Sequence, residues 1–422
     1  MTQGHPKGID IENDLNISEP GLASEKANGG TPDNQPDEQR VSWLELFFDL
    51  IFVVAFDQLA KRLGTTPTAE NIGVFLLMFT AVWWAWAGNT TFAGRYGNDL
   101  RAYRWGTVAQ LVSMAMIALS LRGDVQDTGP LFAVAFAFNR AVLVVMYLFV
   151  LRQSPDAARF VRPTAAGFGV AALLWLASAW FAQTPAVLLG FWGAALAVDI
   201  LTPILIRSRS LDALPHQAHL PERVGLLQII ALGAIVTEVV NGGRQQELTV
   251  TFLAPALLAI LTTVALWRLY FDQPRLLPIL SAHHDSRVGA LLVWLYGHLP
   301  FTLGVIMLGV GLGHGISQVG DKDTANLQLV TWPLAVVFLT LAAQRWNAAR
   351  LTPHPPFDRS LLTLLGGMVA SVALAFSGLE TQPLHAAVFG ITGLAALIVA
   401  TDPGTRRLGV IEEKRGGEQA PL

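Results

Sequence analysis

The sequence has no cysteine, and that absence excludes disulfides, thiolate metal sites and cysteine nucleophiles together. Charge is scarce as well: 14% of the 422 residues are Asp, Glu, Lys or Arg, where a soluble domain carries about 25%. A net charge of −3 gives no basic footprint for a nucleic acid, so none is expected as a partner. There is no HExxH zinc helix, no Walker A lysine loop and no GxSxG elbow, and no enzymatic activity is expected. Haem would need histidines facing one another from apolar segments. Only His298 and the segment-edge His385 lie there, at different depths. His283, His284 and Asp285 fall in a charged loop, where a metal site is not expected. No cofactor is therefore expected.

What the chain does have is apolar length. Hydrophobic residues make up 52% of it, in nearly continuous runs from position 41 to 402, which predicts an all-α integral membrane protein. Dividing these runs into stretches of about 20 residues gives about twelve transmembrane helices, at 44–62, 70–90, 103–121, 130–151, 164–182, 186–206, 223–241, 248–270, 288–312, 328–348, 360–378 and 383–401. The basic residues test this count independently. With span ends placed to within about three residues, fifteen arginines lie in or at the edges of loops that follow even-numbered spans and four more basic residues in the C-terminal tail, whereas loops after odd-numbered spans and their edges hold five. By the positive-inside rule both termini and the even loops are cytoplasmic, in a bacterial inner membrane. Residues 1–40 hold eight acidic and three basic residues and no apolar run, so they read as a disordered acidic cytoplasmic tail without a signal-peptide core. Residues 403–422 read as a second cytoplasmic tail, polar and loose.

Twelve spans divide into two sixes, and weak internal similarity supports a 6+6 parallel repeat, with halves at 41–210 and 211–402. Glu45 and Glu222 begin spans 1 and 7. Tyr96 with Asp99 and Tyr270 with Asp272 close spans 2 and 8. Polar residues interrupt spans 3 and 9 at Gln110, Ser113 and His298, and spans 4 and 10 carry Asn139–Arg140 and Arg345 with Asn347.

A carboxylate or guanidinium inside a bilayer costs several kcal/mol, so such residues are the candidate functional positions. Glu45 and Asp49 are four apart and share a helix face with Phe52 and Phe56. Near the same membrane edge fall Glu222, Arg223, Arg95, Asp99 and Asp272, which together predict a mixed-charge cluster. Arg140, His298 and Asp199 lie deeper. A buried ion pair and a hydrogen-bonded structural histidine are the plain alternatives for Arg140 and His298. Glu45 and Glu222 also read as first-turn caps, and Arg268 and Arg345 as side chains that snorkel to the interface. Trp83, Trp84, Trp86, Trp175 and Trp180 read as interfacial anchors and lipid-facing bulk.

The stretches "ELFFDLIFVVAFDQL", "LPERVGLLQIIALG" preceded by His219, "LYFDQ" and "YGHLPFTLGVIMLGVGL" resemble the bacterial low temperature requirement protein A family over most of residues 41–400. By motif the resemblance marks Glu45, Phe48 and Asp49; Pro221, Glu222, Arg223 and Gly233; Tyr270 and Asp272; His298 and Gly304. Two departures stand out. Ala234 follows Gly233 where the family carries Glu, and "GND" after span 2 keeps only Asp99 of an acidic run. The resemblance implies a polytopic bacterial membrane protein tied by name to growth in the cold, without an established biochemical activity. The leading expectation is a secondary transporter of ions or small solutes, with the lipid bilayer as its other partner. The alternative is a non-transporting membrane protein for low-temperature or stress adaptation.

Overall fold

The structure, a computed structural model, describes residues 41–65, 68–97, 101–182, 184–244, 247, 249–317, 324–353 and 355–417. The acidic tail 1–40, Asp99 and Lys322 lie outside the described residues. Fourteen α-helices follow one another, with no strand among the described residues. The first half of the chain contributes α1 (Trp43–Thr65), α2 (Ala69–Tyr96), α3 (Arg101–Ser120), α4 (Val125–Gln153), α5 (Ala158–Phe181) and α6 (Pro185–Leu205). The second contributes α7 (His219–Gly243), α8 (Val250–Phe271), the short α9 (Leu277–His284), α10 (Val288–Ser317), α11 (Thr324–Ala349), α12 (Arg359–Leu374), α13 (Thr381–Thr401) and α14 (Pro403–Gly417).

Local chemistry sets the helix starts. Ser42 and Glu45 form a capping box at α1: Glu45 Oε2 accepts from Ser42 N at 2.8 Å, and Ser42 Oγ accepts from Glu45 N at 3.4 Å. Thr184 caps α6 with Pro185 in its first turn, and the Asp124 and Asp358 side chains cap α4 and α12. Gly97, at φ +81°, ends α2 in a conformation that glycine adopts without a Cβ penalty.

Among the described residues nine helices are long and apolar enough to cross a membrane. Each of the twelve expected spans coincides with a helix, and the three outside the nine have physical reasons to be there. Helix α1 carries Glu45, Asp49, Asp57, Lys61 and Arg62; α3 is diluted by Arg101, Arg104 and Gln110; α12 has 16 residues. The distribution of polarity is that of a protein dissolved in lipid. Val145, Leu173, Leu205, Val264 and Leu397 are exposed, while Asn89, Gln110, Asn139, Arg140, Asp199 and Gln228 are fully buried.

The neighbour scheme repeats along the chain. Helix α4 packs between α3 and α5, and α5 against α6; likewise α11 packs between α10 and α12, and α12 against α13. Helix α1 touches α2 and α3 as α7 touches α8 and α10. The two sets meet where α1 and α2 pack on α7 and α10. Helices α7 and α10 cross closely at small residues: a Cβ on Gly313 would lie 2.5 Å from Glu238 O, and one on Gly309 would lie 3.0 Å from Ile235 Cα.

Several expectations need correcting. The stretch read as a loose tail is helical over Pro403–Gly417 and packs on α9, α12 and α13. Its Glu412 accepts a hydrogen bond from Leu276 N (2.8 Å) and its Arg415 donates to Ser281 Oγ (3.0 Å). The loop after span 8 contains α9, whose Leu277–Ala282 stretch is buried. Trp83, Trp86 and Trp175 are fully buried and Trp84 nearly so; only Trp180 of that group, 67% exposed, has the position expected of a lipid-facing anchor. Arg345 does not snorkel. It is buried and paired with Asp358 and Asp402.

Candidate functional site

Where the halves meet, four ionisable side chains from two helices converge at the arginine-rich ends of the bundle. Because Glu45 and Asp49 are one turn apart, both carboxylates project from α1 toward α7. Arg223, in the second turn of α7, lies between them. Its Nη1 donates to Glu45 Oε1 at 2.9 Å, its Nη2 to Asp49 Oδ1 at 2.6 Å and its Nε to Asp49 Oδ2 at 3.0 Å. The two bonds to Asp49 make a bidentate fork, the strongest geometry for this pair. His219, one turn before Arg223, places Nε2 3.0 Å from Glu45 Oε1. All four residues are buried, at 0–1% exposure.

The rest of the shell is supplied by helices α2 and α3. Trp86 Nε1 donates to Asp49 Oδ1 at 2.8 Å, and the Tyr103 hydroxyl donates to Glu45 Oε1 at 3.1 Å. The cluster thus holds two carboxylates against one guanidinium. Each of these buried charges depends on its partners, since leaving one unpaired in this surrounding is expensive.

From Tyr103 a file of carboxamides runs deeper into the first half. Asn89 donates to Gln110 Oε1 (2.9 Å) and to Thr107 Oγ1 (3.1 Å), and Asn139 donates to Ser113 Oγ (2.8 Å). Gln110 Nε2 points at the Asn139 backbone oxygen at 3.4 Å. Carboxamides donate and accept but do not readily release protons, so this file fixes helices α2, α3 and α4 against one another.

The other sequence-derived candidates separate. Arg140 and Asp199 form a fully buried pair between α4 and α6, with Nε 3.0 Å from Oδ2. His298 accepts or donates on both ring nitrogens: Nδ1 lies 2.7 Å from Trp294 O and Nε2 lies 3.1 Å from the Tyr270 hydroxyl. The carbonyl contact fixes the proton on Nδ1 and leaves Nε2 to accept from Tyr270, which makes a neutral, fully satisfied histidine. Glu222 is exposed and Asp272 pairs with Arg268 on the same helix at 2.9 Å, so neither joins the cluster. Arg95 donates to Ala213 O and lies over Phe160 rather than near Glu45. Asp57 pairs with Lys61 at 2.6 Å, apart from Asp49.

Sequence reasoning did not find Trp86 and Tyr103 as ligands of the acids, nor His219 as a partner of Glu45. The signals for His219 are its place just before the second resemblance stretch and its spacing of four residues, one helical turn, from Arg223. No group of three or more His, Asp or Glu side chains among the described residues could hold a metal.

A family model described as bacterial low temperature requirement A protein matches residues 40–400. An uncharacterized protein of Rhizobium meliloti (strain 1021) is similar to this chain, at 27% identity over 379 residues, covering 86% of this chain and 89% of its own. No solved structure matches.

Proposed function

The chain belongs to the bacterial low temperature requirement A family, and from that premise we propose that it is a secondary carrier of ions or small solutes. It spans the inner membrane twelve times, with both termini in the cytoplasm. Two six-helix halves move against each other. The repeat is supported by the matching neighbour schemes of α1–α6 and of α7, α8 and α10–α13. A second support is the pairing of Arg140 with Asp199 between α4 and α6, and of Arg345 with Asp402 between α11 and the end of α13. The orientation rests on the arginine-rich even loops.

One observation carries the reading. Arg223 of the second half pairs with Glu45 and Asp49 of the first. A buried charge cluster that joins two halves at one membrane face is suited to close that face while its ion pairs are made and to release it when they part. Coupling would act through these ion pairs. Asp49 is the residue on which coupling would depend, since it makes the bidentate bond.

The alternative, a non-transporting protein for low-temperature or stress adaptation, is favoured by the satisfied carboxamide file, which ties three helices together without lining a passage. The two readings part in a growth experiment with membrane abundance measured alongside. Under the carrier reading Asp49→Asn abolishes the activity that supports growth at normal abundance, and Asp57→Asn is mild. Equal loss from both, or loss of Asp49→Asn explained wholly by degradation, removes the carrier reading.

A further inference from the structure

At the end of the bundle away from the arginine-rich loops, α1 finishes and α2, α4 and α6 begin, and a cleft of about 540 Å³ lies among them. That volume falls in the range of small-molecule sites, about 300–1,000 Å³. One wall is apolar, with Val74 and Val125 buried in it and Leu189 half-buried. The other carries charge of both signs: Arg62 near the end of α1, Glu70 in the first turn of α2 and Asp124 at the cap of α4.

These charged groups are placed by contacts that leave them usable. Arg62 Nη1 donates to Gly123 O at 2.6 Å, which sets the guanidinium against the residue next to Asp124. Asp124 accepts from the Gln126 backbone N–H with Oδ1 and makes no direct ion pair among the described residues. Glu70 is exposed and likewise has no ion-pair partner among the described residues. The first turns of α2 and α4 already have side-chain caps, so the positive group at the cleft is Arg62 rather than a helix end. One guanidinium and two carboxylates then decide between ligand classes. A free anion would meet two carboxylates, and a simple cation would meet the guanidinium. A zwitterion complements both signs.

The geometry points to a binding site for a free α-amino acid with an apolar side chain. Its carboxylate faces Arg62, its ammonium faces Asp124 and Glu70, and its side chain lies on Val74, Val125 and Leu189. The close placement of Arg62 and Asp124 suits two opposite charges carried on a single carbon. As the outer entry site of a carrier the cleft rests on the carrier reading, though binding itself does not.

The test is thermal unfolding of the purified full chain in detergent, titrated at matched ionic strength with L-leucine, with leucinamide, which keeps only the cation, and with isocaproate, which keeps only the anion. Uptake of radiolabelled L-leucine into proteoliposomes is measured alongside. Wild-type protein should show a saturable rise in unfolding midpoint with L-leucine, half-saturating at a concentration about tenfold or more below that of either analogue. Glu70→Gln, at an exposed position, and Arg62→Gln should each raise the half-saturating L-leucine concentration about tenfold. Asp124→Asn, which keeps a capping side chain on α4, should do the same. Arg62→Gln should also remove the advantage of L-leucine over leucinamide. Glu413→Gln, an exposed acid on α14, should change nothing. No saturable response to L-leucine, equal responses to the three compounds, or an L-leucine response unchanged by Glu70→Gln and Arg62→Gln overturns the site. Binding that depends on Arg62 and Glu70 without L-leucine uptake supports the site and removes its role as a carrier's entry. Uptake that is indifferent to both substitutions overturns the site and leaves the carrier reading standing.

Discussion

Arg223→Gln is the substitution whose consequence follows most directly from the geometry. It removes three charge-assisted hydrogen bonds, two to Asp49 and one to Glu45. Asp49 would keep the Trp86 indole and Glu45 would keep Tyr103, Ser42 and the His219 ring, but both carboxylates would lose the guanidinium between them. Removing one partner of a buried ion pair costs on the order of 3–5 kcal/mol. At about 1.4 kcal/mol per power of ten, that is roughly two to three and a half powers of ten in the folded-to-unfolded ratio. Neutralising the whole set in Glu45→Gln/Asp49→Asn/Arg223→Gln removes the lone charges and should recover most of the loss, since a buried pair replaced as a unit is close to neutral. The measurement is the fraction of protein that stays monodisperse on size-exclusion chromatography after heating in detergent. An Arg223→Gln protein with the wild-type midpoint, or a triple variant no more stable than the single one, would refute the reasoning.

Three further outcomes can be checked with the same assay. Trp86→Phe removes a donor to a buried carboxylate and should cost about 1.5–3 kcal/mol, less than Arg223→Gln. Gly313→Ala should cost about 1–3 kcal/mol, because its methyl would press on the Glu238 backbone, whereas Gly289→Ala, with open space around it, should be silent. His216 lies outside the spans, and partial burial beside His219 and His283 holds its pKa below the usual 6.5. The unfolded chain therefore takes up this proton at a higher pH than the folded one. The stability that His216 contributes is complete above about pH 6.5 and is lost as the pH falls through the folded value, so His216→Asn should flatten the decline in melting temperature on acidification.

The helices and the Glu45–Asp49–Arg223 contact were legible because both depend on local spacing: apolar length for the spans, four-residue separation for the two acids, and a lone arginine at the start of α7. Glu222 misled for a related reason. It is a first-turn acid like Glu45, but neighbouring residues on a helix point about 100° apart, so Arg223 faces inward while Glu222 faces out. The buried tryptophans read from sequence as lipid anchors because an indole suits either place, and only the tertiary contact of Trp86 with Asp49 decides. Helix α14 was hidden by its polar composition. What anchors it is long-range: Glu412 on the backbone of Leu276, Arg415 on Ser281, and Ser360 donating to Asp402 at 2.7 Å just before the helix begins. His298 stood out in an apolar run, but its two ring contacts come from Trp294 in the preceding turn and Tyr270 on another helix. Only the first of these follows from sequence spacing.

Whether the two halves move against each other is open to one direct measurement, made easier by a chain without native cysteine. Spin labels on Arg101→Cys, at the start of α3, and Arg359→Cys, at the start of α12, place one exposed probe on each half at the arginine-rich face. Double electron–electron resonance on the reconstituted protein should give two distance populations, and Asp49→Asn should shift their ratio. A single narrow distance that neither Asp49→Asn nor a change of pH alters would contradict a moving carrier and leave the charge cluster as a static lock.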